Sequence, residues 1–258
     1  YFQASNGADG VELWVTDGTK AGTKMLKDIH PNGSSDPKEL TPYNGKLYFR
    51  AKDGSNGDEL WVTDGTKAGT QMLKDINPSE GSDPQRLTIY DGKLYFSANN
   101  GSSDDELWVT DGSATGTKLV KDINPTGPSN IEQLTVFKGQ LYFQAFTQSA
   151  GEEIWVTDGT AGGTKKLKEI SPSGRALPGL FSPYNDQLYF TAGNNAYGRE
   201  LWVTNGTKAG TQLVKDINPN GSSSPQGFTT YSGKLYFIAD DGTNGFELWV
   251  TDGTEAGT

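Results

Sequence analysis

Tryptophan recurs at Trp14, Trp61, Trp108, Trp155, Trp202 and Trp249, always 47 residues apart, inside the phrase Glu-(Leu/Ile)-Trp-Val-Thr-(Asp/Asn)-Gly. A fixed period of about 40 to 50 residues without insertions means one supersecondary unit copied head to tail. Each copy covers an apolar face that its neighbour leaves bare. The repeat runs through all 258 residues, so a single continuous repeat domain is expected, divided at 1–36, 37–83, 84–130, 131–177, 178–224 and 225–258.

Turn signals divide one repeat, Pro37 to Asp83, into four strands. Leu40-Thr-Pro-Tyr43 is short and closes through Asn44-Gly45, a dipeptide suited to a two-residue hairpin. Lys46–Ala51 is aromatic and apolar on both faces, as a strand sandwiched between sheets must be. Asp53–Gly57 turns the chain into Glu59–Thr63, and Asp64–Thr70 reverses it into Gln71–Ile76. The proline-marked linker Asn77–Pro84 is the junction between repeats. No segment carries a useful 3.6-residue period.

Four antiparallel strands per repeat of this length predict an all-β fold, a β-propeller of four-stranded blades. Lys27, Lys74, Lys121, Lys168 and Lys215 recur in the fourth strand, which reads as a solvent-facing outer edge where lysine discourages edge pairing. The first strand is then expected to line a central channel. The chain starts inside a second strand and ends after a third. Six blades, two of them incomplete at the termini, are favoured over five, because five would leave the Trp249 hairpin in water.

The phrase Glu12-Leu-Trp-Val-Thr-Asp-Gly-Thr-Lys-Ala-Gly-Thr23 and its copy at Glu59–Thr70 resemble the ELWxxDGT repeat family of bacterial secreted and surface proteins. Asn205, Ile154 and Ser113-Ala-Thr115 depart from the pattern. The resemblance covers the whole chain and implies a secreted or cell-surface repeat protein, without assigning it an activity. Strand order is similar to kelch blades, and the Thr-Asp-Gly-Thr turn is similar to the Asp-box of sialidase-type propellers. Neither analogy transfers a catalytic residue.

A formal charge of −10 and a pI near 4.6 argue against nucleic acid or an anionic membrane as partner. No apolar run reaches the roughly 20 residues of a spanning helix, and without an initiator Met or signal-like segment the chain reads as an excerpt or processed form. Cysteine is absent, which excludes disulfides and thiolate metal sites. Sequons at Asn32, Asn100, Asn205 and Asn220 also read as ordinary turn composition.

The recurring Trp and Glu allow two readings: a ring of equivalent sugar sites, or inter-blade packing with the carboxylate bonding a nearby amide. Near-identical copies favour the frame. His30 precedes Pro31 as a turn residue rather than a general base, and without another histidine no nucleophile triad is expected. A glycosidase needs only two carboxylates, so a glycan-cleaving propeller is the enzymatic alternative. Yet nearly every acidic residue belongs to a repeated column, whereas one active site needs unique ones. The repeat breaks at Phe146–Ser149, Lys166, Arg175–Leu177, Leu180-Phe181 and Asn194–Arg199; from these Arg175, Tyr197 and Arg199 are the candidate ligand-binding residues. The function expected is non-catalytic: adhesion or matrix interaction with a glycan or a surface protein, with no cofactor, and a spacer in a larger surface protein as the further alternative.

The loops Asp53–Glu59, Asn99–Glu106 and Asp240–Gly245 hold closely spaced oxygens that calcium could use, which makes Asp53, Asp58 and Asp240 the metal candidates. None completes a twelve-residue calcium loop, and Asp-Gly and Asn-Gly turns form without metal. A chelator is therefore expected to leave the melting temperature unchanged. A large loss restored by calcium would promote those three aspartates to ligands.

Overall fold

A computed structural model describes residues 1–102, 104–172 and 174–258. Ser103, in the second of the acidic loops above, lies outside the described residues. The chain forms two compact halves, Tyr1–Ser129 and Asn130–Thr258. The first contains β1 (Phe2–Ser5), β2 (Val11–Val15), β3 (Lys24–Lys27), β4 (Lys38–Tyr43), β5 (Lys46–Lys52), β6 (Asp58–Thr63), β7 (Gln71–Lys74), β8 (Gln85–Tyr90), β9 (Lys93–Asn99), β10 (Asp105–Thr110) and β11 (Lys118–Lys121). The second contains β12 (Glu132–Phe137), β13 (Gln140–Thr147), β14 (Gly151–Thr157), β15 (Lys165–Lys168), β16 (Gly179–Tyr184), β17 (Gln187–Asn194), β18 (Gly198–Thr204), β19 (Gln212–Lys215), β20 (Gln226–Tyr231), β21 (Lys234–Asp240) and β22 (Phe246–Thr251).

These strands pair as antiparallel meanders in sequence order: β1 to β3, β4 to β7 and β8 to β11 in the first half, β12 to β15, β16 to β19 and β20 to β22 in the second. The hairpin joining first and second strands has positive φ at both central residues, as at Asn44 (50°) and Gly45 (75°), which matches a type I′ turn. The first strand carries a bulge whose residue is left-handed, as at Glu39 (57°), Arg86 (59°), Gln133 (61°) and Leu180 (57°).

Strand alternation sorts each repeat onto two faces. Leu47, Phe49, Ala51 and Trp61 pack against Leu13, Leu26 and Ile29 of the preceding repeat. Tyr48, Leu60, Val62, Leu73 and Ile76 point the other way, against Leu94, Phe96, Ala98 and Trp108 of the following one. The second half repeats the scheme: Ile154, Val156, Leu167 and Ile170 meet Leu188, Phe190, Ala192 and Trp202. Leu201, Val203, Val214 and Ile217 meet Leu235, Phe237, Ala239 and Trp249. Within each half the arrangement is β-propeller-like, and Trp61, Trp108, Trp202 and Trp249 pack between sheets.

Two expectations need correction. The fourth strand is a sheet edge, but its lysine is not a free surface charge. Lys27 Nζ crosses to the next sheet, donates to the Thr70 carbonyl at 2.7 Å and lies 5.5 Å from the centre of the Trp61 ring. Lys74 does the same with Thr117 (2.6 Å) and Trp108 (5.9 Å), and Lys168 and Lys215 reach Thr211 and Thr258 beside Trp202 and Trp249. A four-carbon stem lies along apolar surface while its ammonium finds a carbonyl and an aromatic face. The fourth strand also stops at Lys74 rather than Ile76, because the Ile76 amide turns to the Glu59 carboxylate at 3.0 Å.

Trp61→Ala is expected to cost roughly 3 to 5 kcal/mol by opening a cavity between two sheets, and Lys27→Met only about 1 kcal/mol. Denaturant unfolding checks both; a Trp61→Ala transition matching the parent's would remove tryptophan from the frame.

Candidate functional site

The Asp-Gly-Thr turn closes on itself. Asp64 Oδ1 accepts from the Thr66 amide (2.9 Å) and hydroxyl (2.7 Å), Thr63 Oγ1 accepts from the Gly65 amide (3.0 Å), and the Thr63 and Thr70 hydroxyls bond each other at 2.7 Å. A side chain on Gly69 would collide with the Asp64 carboxylate, which explains the glycine of Ala-Gly-Thr. The Thr66 hydroxyl, then its amide, hold the Asp64 carboxyl below the ordinary carboxylate range, and Asp17, Asp111, Asp158 and Asp252 are lowered in the same way. Asn205 substitutes with the same two contacts, at 3.0 and 2.8 Å, so the turn needs an acceptor rather than a charge.

The repeated glutamate is equally occupied. Glu59 is fully buried and accepts from the amides of Ile76 (3.0 Å), Asn77 (3.3 Å) and Ser82 (3.0 Å) and from the Ser82 hydroxyl (2.6 Å). Glu12 and Glu200 have the same partners at Ile29 and Ser35 and at Ile217 and Ser223. In the fourth repeat Ala176 stands where the serine should be, and Glu153 bonds only the Ile170 (2.8 Å) and Ser171 (2.9 Å) amides. Burial pushes the Glu106 carboxyl up to about 7, against the opposing pull of the Ser129 hydroxyl and the Ile123 amide; Glu59, Glu153 and Glu200 also rise through burial.

The metal candidates do not converge. Asp53 is bound within its own turn, by the Ser55 (2.8 Å) and Asn56 (3.0 Å) amides and the Asn56 side chain (2.8 Å). Asp58 faces Arg50 at 3.9 Å, and Asp240 accepts from the Gly242 amide at 2.7 Å. Among the described residues no group of three or more histidine or acidic side chains is placed to share an ion.

The structure does bring the non-repeated candidates together. Arg175, Leu177, Asn194, Asn195 and Arg199 line a cleft of about 230 Å³ in the second half. Tyr197, 42 % exposed, lines an adjoining cleft of about 350 Å³ that shares Asn194 and Asn195. Asn194 Oδ1 fixes the connecting turn by accepting from the Ala196 (3.0 Å) and Tyr197 (2.9 Å) amides. Arg175 is neutralised by the buried Glu152, with Nε 2.5 Å from the carboxylate. Arg199 instead donates to the Leu177 carbonyl at 2.7 Å and to the Thr191 hydroxyl; no carboxylate pairs with it among the described residues. Lys166 is apart from this group, paired with Glu169 at 3.2 Å.

Sequence reasoning passed over a second kind of signal, the columns that vary while the frame stays constant. Across first and second strands one position pair holds Lys38 with Arg50, then Gln85 with Ser97, Glu132 with Gln144, Gly179 with Thr191 and Gln226 with Ile238. Arg50 of this column pairs with Asp83 in the linker to the following sheet; close to the column, Lys52 pairs with Asp36, just before its own sheet, at 2.7 Å, and the Arg86 amide donates to Glu39 of the preceding repeat at 2.8 Å. Reading the six copies by column would have found them. Also missed was a cleft of about 680 Å³ in the first half, lined by Tyr1, Leu40, Pro42, Tyr43, Gly45 and Leu47 among others.

No family model and no curated protein matches the chain. Among solved structures it is similar to a prolyl endopeptidase, at 14 % identity and a TM-score of 0.53, over 95 % of this chain and 39 % of that one. It is also similar to a puromycin hydrolase (15 % identity, TM-score 0.49, 85 % and 35 %) and an α-L-arabinofuranosidase from Clostridium thermocellum (18 %, 0.34, 80 % and 82 %). The chain thus spans little more than a third of the length of the first two. At such identity the endopeptidase likeness concerns the fold alone.

The carboxyl shifts set a pH dependence. Glu106 has a folded value near 7, above the roughly 4.3 of an unfolded glutamate. Its contribution is therefore complete below about pH 4 and lost as pH rises through 7. The turn aspartates are lowered, so theirs is present above their ordinary value and lost as pH falls. Maximum stability is expected near pH 5, with a loss of roughly 1 to 3 kcal/mol by pH 8. Thermal melts across pH 3 to 9 check this; a rise in stability from pH 5 to pH 8 would contradict it.

Proposed function

We propose that this chain is a member of the ELWxxDGT repeat family whose sheets are the blades of one continuous six-bladed β-propeller. It acts as a secreted or cell-surface module for adhesion or matrix interaction and has no catalytic role. One observation carries the reading. The repeated carboxylates, lysines and tryptophans whose contacts are given above are taken up by the frame, whereas the non-repeated Arg175, Tyr197 and Arg199 line adjoining clefts, with Arg199 held only by a carbonyl and a hydroxyl among the described residues. A surface glycan or a matrix protein is the partner class, met by an aromatic ring and a guanidinium beside side-chain amides.

The test is a glycan array followed by calorimetry. One ligand per chain, lost in Tyr197→Ala and in Arg199→Ala with melting temperature retained, supports this site. Several weak equivalent sites would instead place binding in the repeats, with useful affinity arising only on a multivalent surface. Absence of glycan binding would leave a protein partner or a spacer role, and turnover of chromogenic glycosides would overturn the non-catalytic reading.

A further inference from the structure

The sheets β4 to β7 and β16 to β19 treat the same surface in opposite ways. In the earlier sheet two cations stand among three aspartates. Lys52 pairs with Asp36 at 2.7 Å and faces Asp58 across the ladder, while Arg50 pairs with Asp83 and lies 3.9 Å from Asp58. Three periods further on, the positions of Arg50, Lys52, Asp36, Asp58 and Asp83 are held by Thr191, Gly193, Leu177, Arg199 and Ser224. Both cations and all three carboxylates are gone, and one new cation stands where Asp58 stood. Gly193, opposite Arg199 in the ladder, has no side chain to cover it.

The backbone of Arg199 is held by the linker that follows its sheet. Its amide donates to the Ser222 hydroxyl at 2.9 Å, and its carbonyl accepts from the Ser224 amide at 3.0 Å. The guanidinium uses one N–H on the Leu177 carbonyl, at 2.7 Å, and one on the Thr191 hydroxyl. Its other three N–H groups have no acceptor among the described residues. Burial pulls the guanidinium below the ordinary arginine range, and no counter-charge offsets that cost. Among the described residues, none that lines this cleft or the adjoining one beside Tyr197 is acidic.

Leu177 is a second, independent observation. Its backbone is left-handed, with φ 49°, as are Asp36 (46°), Asp83 (45°), Asn130 (46°) and Ser224 (48°) in the same column. Short polar side chains tolerate that conformation by bonding locally, whereas leucine is an outlier there, and this one is also 41 % exposed. Folding alone therefore favours an aspartate at this position, whose carboxylate would lie beside Arg199 as Asp36 lies beside Lys52. A strained residue without a carboxylate next to an uncompensated arginine points to a site left open for an anion from outside.

We propose that Arg199 receives a single carboxylate of the ligand, and that the partner of this cleft is a glycan with an isolated carboxylate on a terminal sugar, a uronate or a sialate. This rests on the glycan site proposed above and adds its charge class. A guanidinium with N–H groups to spare presents the planar fork that a carboxylate fits, and the exposed Tyr197 ring in the adjoining cleft offers a face to a pyranose. The chain's charge of −10 repels a polyanion. One carboxylate meets mainly the local field, because charges more than about 8 Å away are screened at physiological salt.

The test is calorimetry with two singly charged probes, sialyllactose and glucuronyl-xylobiose, against their neutral counterparts, lactose and the uronate methyl ester. The expected result is one ligand per chain, bound roughly tenfold or more tighter than its neutral counterpart and weakened by added salt. Which of the two probes binds identifies the sugar. Arg199→Gln should erase the preference for the charged probe. Leu177→Asp should erase it too while raising the melting temperature, since the new carboxylate occupies Arg199 and relieves the strained leucine; a folding defect cannot give both results. Arg50→Gln, in the other half, should bind as the parent does. Equal binding of charged and neutral probes, lost in Tyr197→Ala, overturns the carboxylate assignment and leaves the glycan site standing. Charge-selective binding that survives both Arg199→Gln and Leu177→Asp overturns it, as does a preference for sulfated lactose or for triglutamate. Binding of no sugar at all overturns the glycan site as well.

Discussion

A buried carboxylate near the start of the third strand, at Glu12, Glu59, Glu106, Glu153 and Glu200, holds the repeat to its own linker, and much of the remaining geometry follows from that contact. Glu59 gathers the amides of Ile76, Asn77 and Ser82 and the Ser82 hydroxyl, all groups of the segment leaving the fourth strand. That segment is irregular, and its Ile76, Asn77 and Ser82 are buried, so their donors have no ladder partner and would each cost free energy if left unpaired. One side chain satisfies them and thereby fixes where the linker passes into the next repeat. The carboxylate is itself strained by desolvation, as the raised Glu106 shows, and the donors around it offset that cost.

Once the linker is set, the next sheet lies at a repeatable distance and the long side chains can bridge it. Lys27 reaches Thr70 and the Trp61 ring, and Trp61 fills the space above Leu13, Leu26 and Ile29. Deleting one of these contacts affects two sheets at once. This explains why they recur with so little change along the chain: each residue must fit its own repeat and its neighbour's.

Invariance of the frame sets off the positions that vary from repeat to repeat. Arg175, Tyr197 and Arg199 lie where the repeat relaxes, and the fourth repeat has lost its serine to Ala176 while acquiring the Arg175–Glu152 pair beside it.

The 47-residue spacing and the turn dipeptides determined by themselves the strand count per repeat, the hairpins and the apolar faces, because period-two alternation and left-handed turn residues are local properties of the chain. They also placed Arg175, Tyr197 and Arg199 apart from the frame. Tertiary structure alone decided where long side chains end. Nothing local distinguishes a lysine facing solvent from Lys27 reaching a carbonyl in the following sheet, since both need only an edge strand and a flexible stem. The same holds for Asp53 and Asp58, close in sequence but turned to different partners, and for Arg175 and Arg199, 24 residues apart yet lining one cleft. Contacts between residues that the chain separates by a whole strand depend on sheet stacking, and stacking exists only once the sheets have formed.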